Sequence, residues 1–94
     1  MAIINIGIET EHTNHWSYEV QVEEGGKNTD YQVTLSFADY DLWSHGRVAP
    51  ERVIKAVFKF LQQHQSISKL KAKFDCATLR RLFPQVDSEL PTMI

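Results

Sequence analysis

The sequence has one cysteine, no glycine-rich phosphate loop and no long apolar run. Because the single cysteine, Cys76, has no partner within the chain, a disulfide-stapled secreted fold is excluded and a reducing compartment is favoured. The P-loop pattern is absent, which argues against that class of nucleotide-binding site. No stretch approaches the roughly 20 apolar residues of a membrane-spanning helix, and the N-terminus lacks the pattern of a secretory signal peptide. We therefore expect a cytoplasmic protein and, at 94 residues, a single domain covering 1–94.

Positive charge is scarce in the first half of the chain. Up to residue 46, Lys27 is the only cation against eight acids, so this part carries −7. Residues 47–83 hold nine cations against two acids, so they carry +7, and two further acids bring the whole chain to −2. This asymmetry indicates a charged partner, whose identity the composition does not give.

Three runs in the first half alternate apolar and polar residues with a period of two, which is typical of half-buried β-strands. Their apolar positions are Ile4, Ile6 and Ile8; Trp16, Tyr18, Val20 and Val22; and Tyr31, Val33, Leu35 and Phe37. Residues 24–30 include Gly25 and Gly26, which tolerate positive φ and indicate a hairpin loop. The pattern predicts a three-stranded antiparallel sheet with one apolar face that other elements must cover.

The second half is predicted to supply the helices that cover this face. Ser36 and Asp39 fit a capping box at the start of a short helix, which Gly46 can end. Residues 50–64 are predicted to form an amphipathic helix that begins at Pro50. The apolar stripe of this helix consists of Val53, Ile54, Val57, Phe58 and Leu61.

Residues 66–74 fit either a helix or a strand. Ile67, Leu70 and Phe74 have helical spacing, whereas Leu70, Ala72 and Phe74 alternate with lysines, and we prefer the helix. Asp75 is then predicted to cap a short helix that Pro84 ends. The predicted fold class is therefore α+β, with a three-stranded antiparallel sheet followed by C-terminal helices packed on one face.

The basic residues of the second half form the main candidate site. Arg52, Lys55 and Lys59 follow i, i+3, i+7 spacing opposite the apolar stripe, so they share one solvent-facing side of the helix. The predicted binding residues are Arg52, Lys55, Lys59, Lys69, Lys73, Arg80 and Arg81. Such a surface suits an acidic protein or phosphate groups. The alternative is an ordinary solvated helix face, partly neutralised by the acidic sheet, because lysine and arginine are good helix formers.

Sequence-specific DNA binding is disfavoured. Residues 66–83 offer two short helical patterns in series, as a helix-turn-helix motif requires. A recognition helix presents its N-terminal residues to base edges, however, and here that end begins with Asp75, whose carboxylate would meet phosphates unfavourably.

Two further patterns contain residue types found in metal sites and active sites. His12 and His15 are spaced as H-x-x-H near Glu9 and Glu11, a set that could bind zinc, but an ordinary exposed loop is the expected structure. Cys76 lies near a predicted helix start, but no general base stands beside it in a recognisable signature, and a buried small hydrophobe is the expected role. We therefore expect no metal site, no cofactor and no catalytic residue.

The run VAPERVIKAVFKFL at residues 48–61 is followed by Lys73-Phe74-Asp75 and by Leu82-Phe83-Pro84. Over residues 31–84 this arrangement resembles small bacterial proteins of unassigned function, in which a strand pair precedes a proline-led helix, an F-D turn and an F-P stop. The shared motifs are structural, so the resemblance implies no activity and no functional residue. It implies a bacterial cytoplasmic origin.

Three functional hypotheses follow from these patterns. The leading one is a small non-enzymatic interaction or self-associating module that binds a protein partner or a second copy of itself through the basic helical surface. The alternative is a nucleic-acid-associated accessory protein that binds the phosphate backbone without reading sequence. The third is an enzyme that uses Cys76 or the loop containing His12 and His15. No membrane partner is expected.

Overall fold

The computed structural model describes residues 2–64 and 70–94, and it has an α+β fold. The elements are β1 (Ile3–Glu11), β2 (His15–Glu24), β3 (Lys27–Ser36), α1 (Phe37–Ser44), α2 (Pro50–Gln63), β4 (Lys73–Asp75), α3 (Thr78–Leu82), α4 (Val86–Glu89) and a C-terminal 3-10 helix (Leu90–Met93). The predicted fold class is confirmed, because a mostly antiparallel sheet is followed by helices that pack on it.

The sheet has four strands in the order β1-β2-β3-β4, one more than predicted. The first three strands form the predicted antiparallel meander, and β4 runs parallel to β3 with Val33 opposite Phe74. Two backbone bonds flank this pairing: the Gln32 N–H donates to the Ala72 carbonyl at 2.7 Å, and the Cys76 N–H donates to the Thr34 carbonyl at 2.9 Å.

The helix preferred for residues 66–74 is therefore wrong at its C-terminal end. Residues 65–69 lie outside the described residues, 70–72 are not helical and 73–75 form β4. The strand alternative, in which Leu70, Ala72 and Phe74 alternate with lysines, is correct from residue 73 on: Phe74 is buried between exposed Lys73 and Asp75, whereas Ala72 is exposed and precedes the strand. Packing of Phe74 against Tyr31 and Phe58 outweighs the helix propensity of the lysines, because propensity is a weak term beside tertiary burial.

A bulge interrupts β1. Ile6 pairs with Val20 and Glu9 pairs with Tyr18, so two residues, Gly7 and Ile8, lie opposite one residue of β2. A Cβ atom at Gly7 would lie 3.2 Å from the carbonyl oxygen of Glu19, which explains glycine there. Because of the bulge, the predicted alternation is wrong at Ile8. Ile8 is 67% exposed, whereas Ile4 and Ile6 are half-buried as the alternation predicts.

Helix α1 begins as predicted. Ser36 is its N-cap, and the Ser36 Oγ accepts a hydrogen bond from the Asp39 N–H at 3.0 Å. The helix ends at a left-handed residue, His45, whose φ is 54°, and Gly46 follows with a φ of 71°. This ending is a common way to terminate a helix, with the His45 N–H donating to the Asp41 carbonyl.

Helix α2 is the central element of the core. It begins at Pro50, and every residue of the predicted apolar stripe is fully buried. Ala56 and Phe60 are buried as well, so the buried face is wider than predicted. The sheet covers one side of α2, and the C-terminal segment covers another through residues such as Phe83, whose ring lies 5.3 Å from that of Phe60. Only a narrow strip of α2 remains exposed.

The buried apolar residues form one cluster between the sheet and the helices. Three rings of this cluster pack together, with Phe58 of α2 contacting Tyr31 of β3 and Phe74 of β4 at centroid distances of 5.9 and 6.0 Å. Offset and edge-on ring pairs of this kind are favourable beyond the area they bury. Among the residues that the structure describes, no helix is both long and apolar enough to cross a bilayer.

Candidate functional site

The exposed strip of α2 carries three cations and one acid, Glu51. Arg52, Lys55 and Lys59, which we call the cationic row, are all exposed and lie between buried positions of the same helix. The row lines a shallow depression of about 350 Å³ together with Ala56, Met93 and Ile94. The depression thus places the cations beside the half-buried apolar side chains of Met93 and Ile94.

The cationic row has no counter-ion among residues 2–64 and 70–94. The ion pairs found there join His64 to Glu89, and Arg80 to both Asp39 and Asp87. The row is therefore electrostatically available to an external anion, because no described carboxylate lies within ion-pair distance of it.

Three acids of the strands lie on the other side of the molecule, whereas Glu9 lies on the core face, where its carboxylate accepts a hydrogen bond from the Tyr18 hydroxyl. Glu19, Glu23 and Asp30 occupy the sheet positions that alternate with the buried ones, on what we call the outer sheet face. Helix α2 covers the opposite face, through contacts such as Phe58 with Tyr31. The apolar cluster lies between these acids and the cationic row, and none of these acids is within ion-pair distance of the row.

The outer sheet face carries a second depression, of about 590 Å³. Its polar lining consists of Asn5, Glu19, Gln21, Asp30 and Gln32. Its charged members, Glu19 and Asp30, are carboxylates, which accept hydrogen bonds and repel anions. This face therefore does not suit the anionic partner that the cationic row suits.

The remaining predicted binding residues do not extend the cationic row. Lys73 is exposed on the outer sheet face, where it pairs with Gln32 across β3 and β4. Arg81 is exposed on α3, and Lys69 lies outside the described residues. The structure thus brings together Arg52, Lys55 and Lys59 of the predicted set and places Lys73 on the opposite side.

Arg80 is engaged inside the molecule. Its Nη2 lies 2.8 Å from Asp39 Oδ1, and its Nε donates to Asp87 Oδ1 at 3.0 Å. The Trp43 Nε1–H donates to the same Asp87 oxygen at 2.8 Å, and the guanidinium lies 5.4 Å from the centre of the Trp43 ring. This cluster joins α1 to the C-terminal helices, and a surface role for Arg80 would have to compete with it.

The charges of this cluster reinforce one another. Burial lowers the pKa of Arg80, but the hydrogen bond with Asp87 and the charges of Asp39 and Asp87 outweigh it, so the pKa is raised. The hydrogen bond from Trp43 lowers the pKa of Asp87 below its ordinary value; desolvation opposes this, and Arg80 adds to it. Both groups therefore stay ionised near neutral pH.

Cys76 is completely buried, as predicted. Burial raises the pKa of its thiol well above the ordinary value, and the negative charges of Asp75 and Asp39 raise it further. The thiolate, which is the nucleophilic form, is therefore disfavoured.

The two histidines between β1 and β2 stack on each other, with ring centroids 4.5 Å apart and an angle of 14° between the planes. His12 Nε2 lies 3.0 Å from Ser17 Oγ, and His15 Nδ1 lies 2.9 Å from Asn14 Oδ1. Within the described part of the chain, no group of three or more histidine, cysteine or acidic side chains is arranged to hold a metal ion. The contacts formed by this pair are those of a structured turn.

Comparisons of the chain with protein-family models, curated proteins and solved structures gave no match. The geometry described above therefore carries the functional interpretation.

Proposed function

We propose that the protein is a non-enzymatic interaction module that binds an acidic protein segment through the cationic row of α2. The observation that carries this proposal is the combination of three exposed cations with no counter-ion among the described residues. A solvated helix face neutralised by the protein's own acids would form ion pairs with them, but none of the described acids, including Glu51 of the same helix, lies within ion-pair distance of the row.

The shape of the site favours a peptide over nucleic acid. From Arg52 to Lys59 the row spans seven residues of helix, or about 10 Å. A row of this length can contact only a few phosphates of a duplex. The half-buried side chains of Met93 and Ile94 in the same depression offer contacts to an apolar side chain between acidic ones. The outer sheet face would repel any phosphates that reached it.

Nucleic-acid backbone binding remains the second candidate function, since the same three cations could contact phosphates. For the location we propose the cytoplasm, because the single cysteine is unpaired and a reducing compartment suits it.

The test is fluorescence anisotropy with a short labelled peptide of glutamate and leucine, compared with labelled duplex DNA. Reversing the row in Arg52→Glu/Lys55→Glu/Lys59→Glu should weaken peptide binding by roughly tenfold or more, because three exposed ion pairs are lost and three repulsions replace them. Peptide binding by the wild-type protein should also weaken between ~0.05 M and ~0.3 M salt.

A matched control makes the same change in charge elsewhere. Arg47→Glu/Lys27→Glu/Lys71→Glu also replaces one arginine and two lysines, all exposed and outside the row. This control should bind the peptide nearly as the wild type does. Equal losses in both variants would show that only net charge matters, and tighter binding of DNA than of peptide would favour the second candidate.

A further inference from the structure

We propose that β1 is a dimer interface, at which β1 of a second copy pairs with it antiparallel and continues the sheet. This inference is independent of the cationic row, since β1 contains no cation and pairs through backbone and apolar groups.

The two edges of the sheet differ in how they are protected. The β4 edge is only 3 residues long, and short edge strands offer little to a partner. The β1 edge is 9 residues long, and no strand among the described residues pairs with its outer side. Lysine and proline, which commonly protect an edge, are absent from Ile3–Glu11. The bulge at Gly7 and Ile8 and the charges of Glu9 and Glu11 are protective, but they leave the segment before the bulge, residues 3–6, regular and uncharged.

The apolar side chains of β1 are incompletely covered. On the core face, Ile4 and Ile6 are only partly buried, although their partners Val22 and Val20 are 5% and 2% exposed. Ile3 and Ile8 are 56% and 67% exposed. Two of the four exposed large hydrophobic residues in the described chain thus lie on this one edge strand, and the other two, Leu42 and Leu82, lie on helices.

The pattern of β1 is complementary to itself in the antiparallel direction. A two-fold axis near Asn5 places Ile4 of one copy opposite Ile6 of the other, which extends the apolar core face across the interface. Ile3 then lies opposite Gly7, where no side chain obstructs it. Glu9 and Glu11 fall beyond the paired segment, whereas a parallel arrangement would set Glu9 beside Glu9. A second copy in the antiparallel orientation therefore places isoleucines opposite each other and keeps the glutamates of the two copies apart.

The proposed contact limits assembly to two copies. An isologous pair uses both copies of the β1 edge, and only the two short β4 edges remain at the ends of the joined sheet. The expected product is a discrete dimer. Because the paired segment is short, association is expected to be weak, so it is measured from ~10 μM to ~1 mM.

The experiment is analytical ultracentrifugation of the whole chain at low and high salt. The wild type should dimerise, and raising the salt should not dissociate the dimer, because backbone hydrogen bonds and apolar contacts hold it. Ile3→Lys/Ile8→Lys should be monomeric, because it places four lysines at the seam. Leu42→Lys/Leu82→Lys makes the same chemical change at the other two exposed positions and should remain dimeric.

Amide hydrogen exchange gives an independent measurement. Alternate amides of β1 should become protected as the wild-type concentration rises, and the Ile3→Lys/Ile8→Lys variant should lose this dependence. The cationic-row variant Arg52→Glu/Lys55→Glu/Lys59→Glu should still dimerise, which separates this inference from the proposed function. A wild-type monomer at ~1 mM with unprotected β1 amides would overturn it, and so would a dimer that only Leu42→Lys/Leu82→Lys disrupts.

Discussion

Arg80 of α3 and Asp39 of α1 form an ion pair, with 2.8 Å between Nη2 and Oδ1. The Asp39 side chain is only 6% exposed, and its second carboxylate oxygen is buried with no hydrogen-bond partner within the described residues. Removing one charge of an ion pair destabilises the folded protein most when the other charge stays buried, because the remaining charged group has lost both water and its counter-ion. Arg80 therefore has a structural role in this chain, whatever else it contacts.

Replacing Arg80 tests this role. Arg80→Met should lower the free energy of unfolding by about 3 kcal/mol, because it leaves the buried side chain of Asp39 without its counter-ion. Arg81→Met, at the exposed neighbouring position, should change it by less than about 0.5 kcal/mol. Urea denaturation of the two variants measures the difference. An equal change in the free energy of unfolding in both variants would show that the ion pairs of Arg80 do not stabilise the fold.

The cluster also predicts how stability depends on pH. The pKa of Asp87 is lower in the folded protein than in the unfolded chain, first because of the hydrogen bond from Trp43. Its stabilising contribution is thus fully present above the unfolded pKa of about 4 and is lost as the pH falls through the lower folded pKa. Thermal midpoints measured below pH 4 should therefore fall less steeply with pH in Asp87→Asn than in the wild type. Identical slopes would contradict this contribution.

The orientation of α2 about its own axis, which decides which of its residues are buried, gives a prediction about stability. Val57 is completely buried and Lys59 is exposed, two residues away on the same helix. Val57→Asp should unfold the protein, at a cost of more than about 4 kcal/mol, because it places an unpaired carboxylate in the apolar cluster. Lys59→Glu should leave the far-ultraviolet circular dichroism and the urea midpoint near those of the wild type. A comparable loss in Lys59→Glu would mean that the helix is rotated from the position described.

Local patterns were sufficient where neighbouring residues decide the structure. The period-two runs located β1, β2 and β3, and the pair Ser36 and Asp39 located the start of α1. The spacing from Val53 to Leu61 gave the phase of α2, and hence the exposure of the cationic row. These features follow from side-chain geometry along one strand or helix, which the order of residues specifies directly.

The sequence by itself thus determined the fold class, the phase of α2 and the charge of its exposed strip, because each depends on residues within a few positions of one another. Only the tertiary structure decided that Phe74 joins the sheet, and that Trp43 meets Asp87 from 44 positions away. It also decided that Glu19, Glu23 and Asp30 lie on the opposite side of the molecule from the cationic row. These outcomes depend on which elements pack together, and that choice is made by burial across the whole core, which no local pattern encodes.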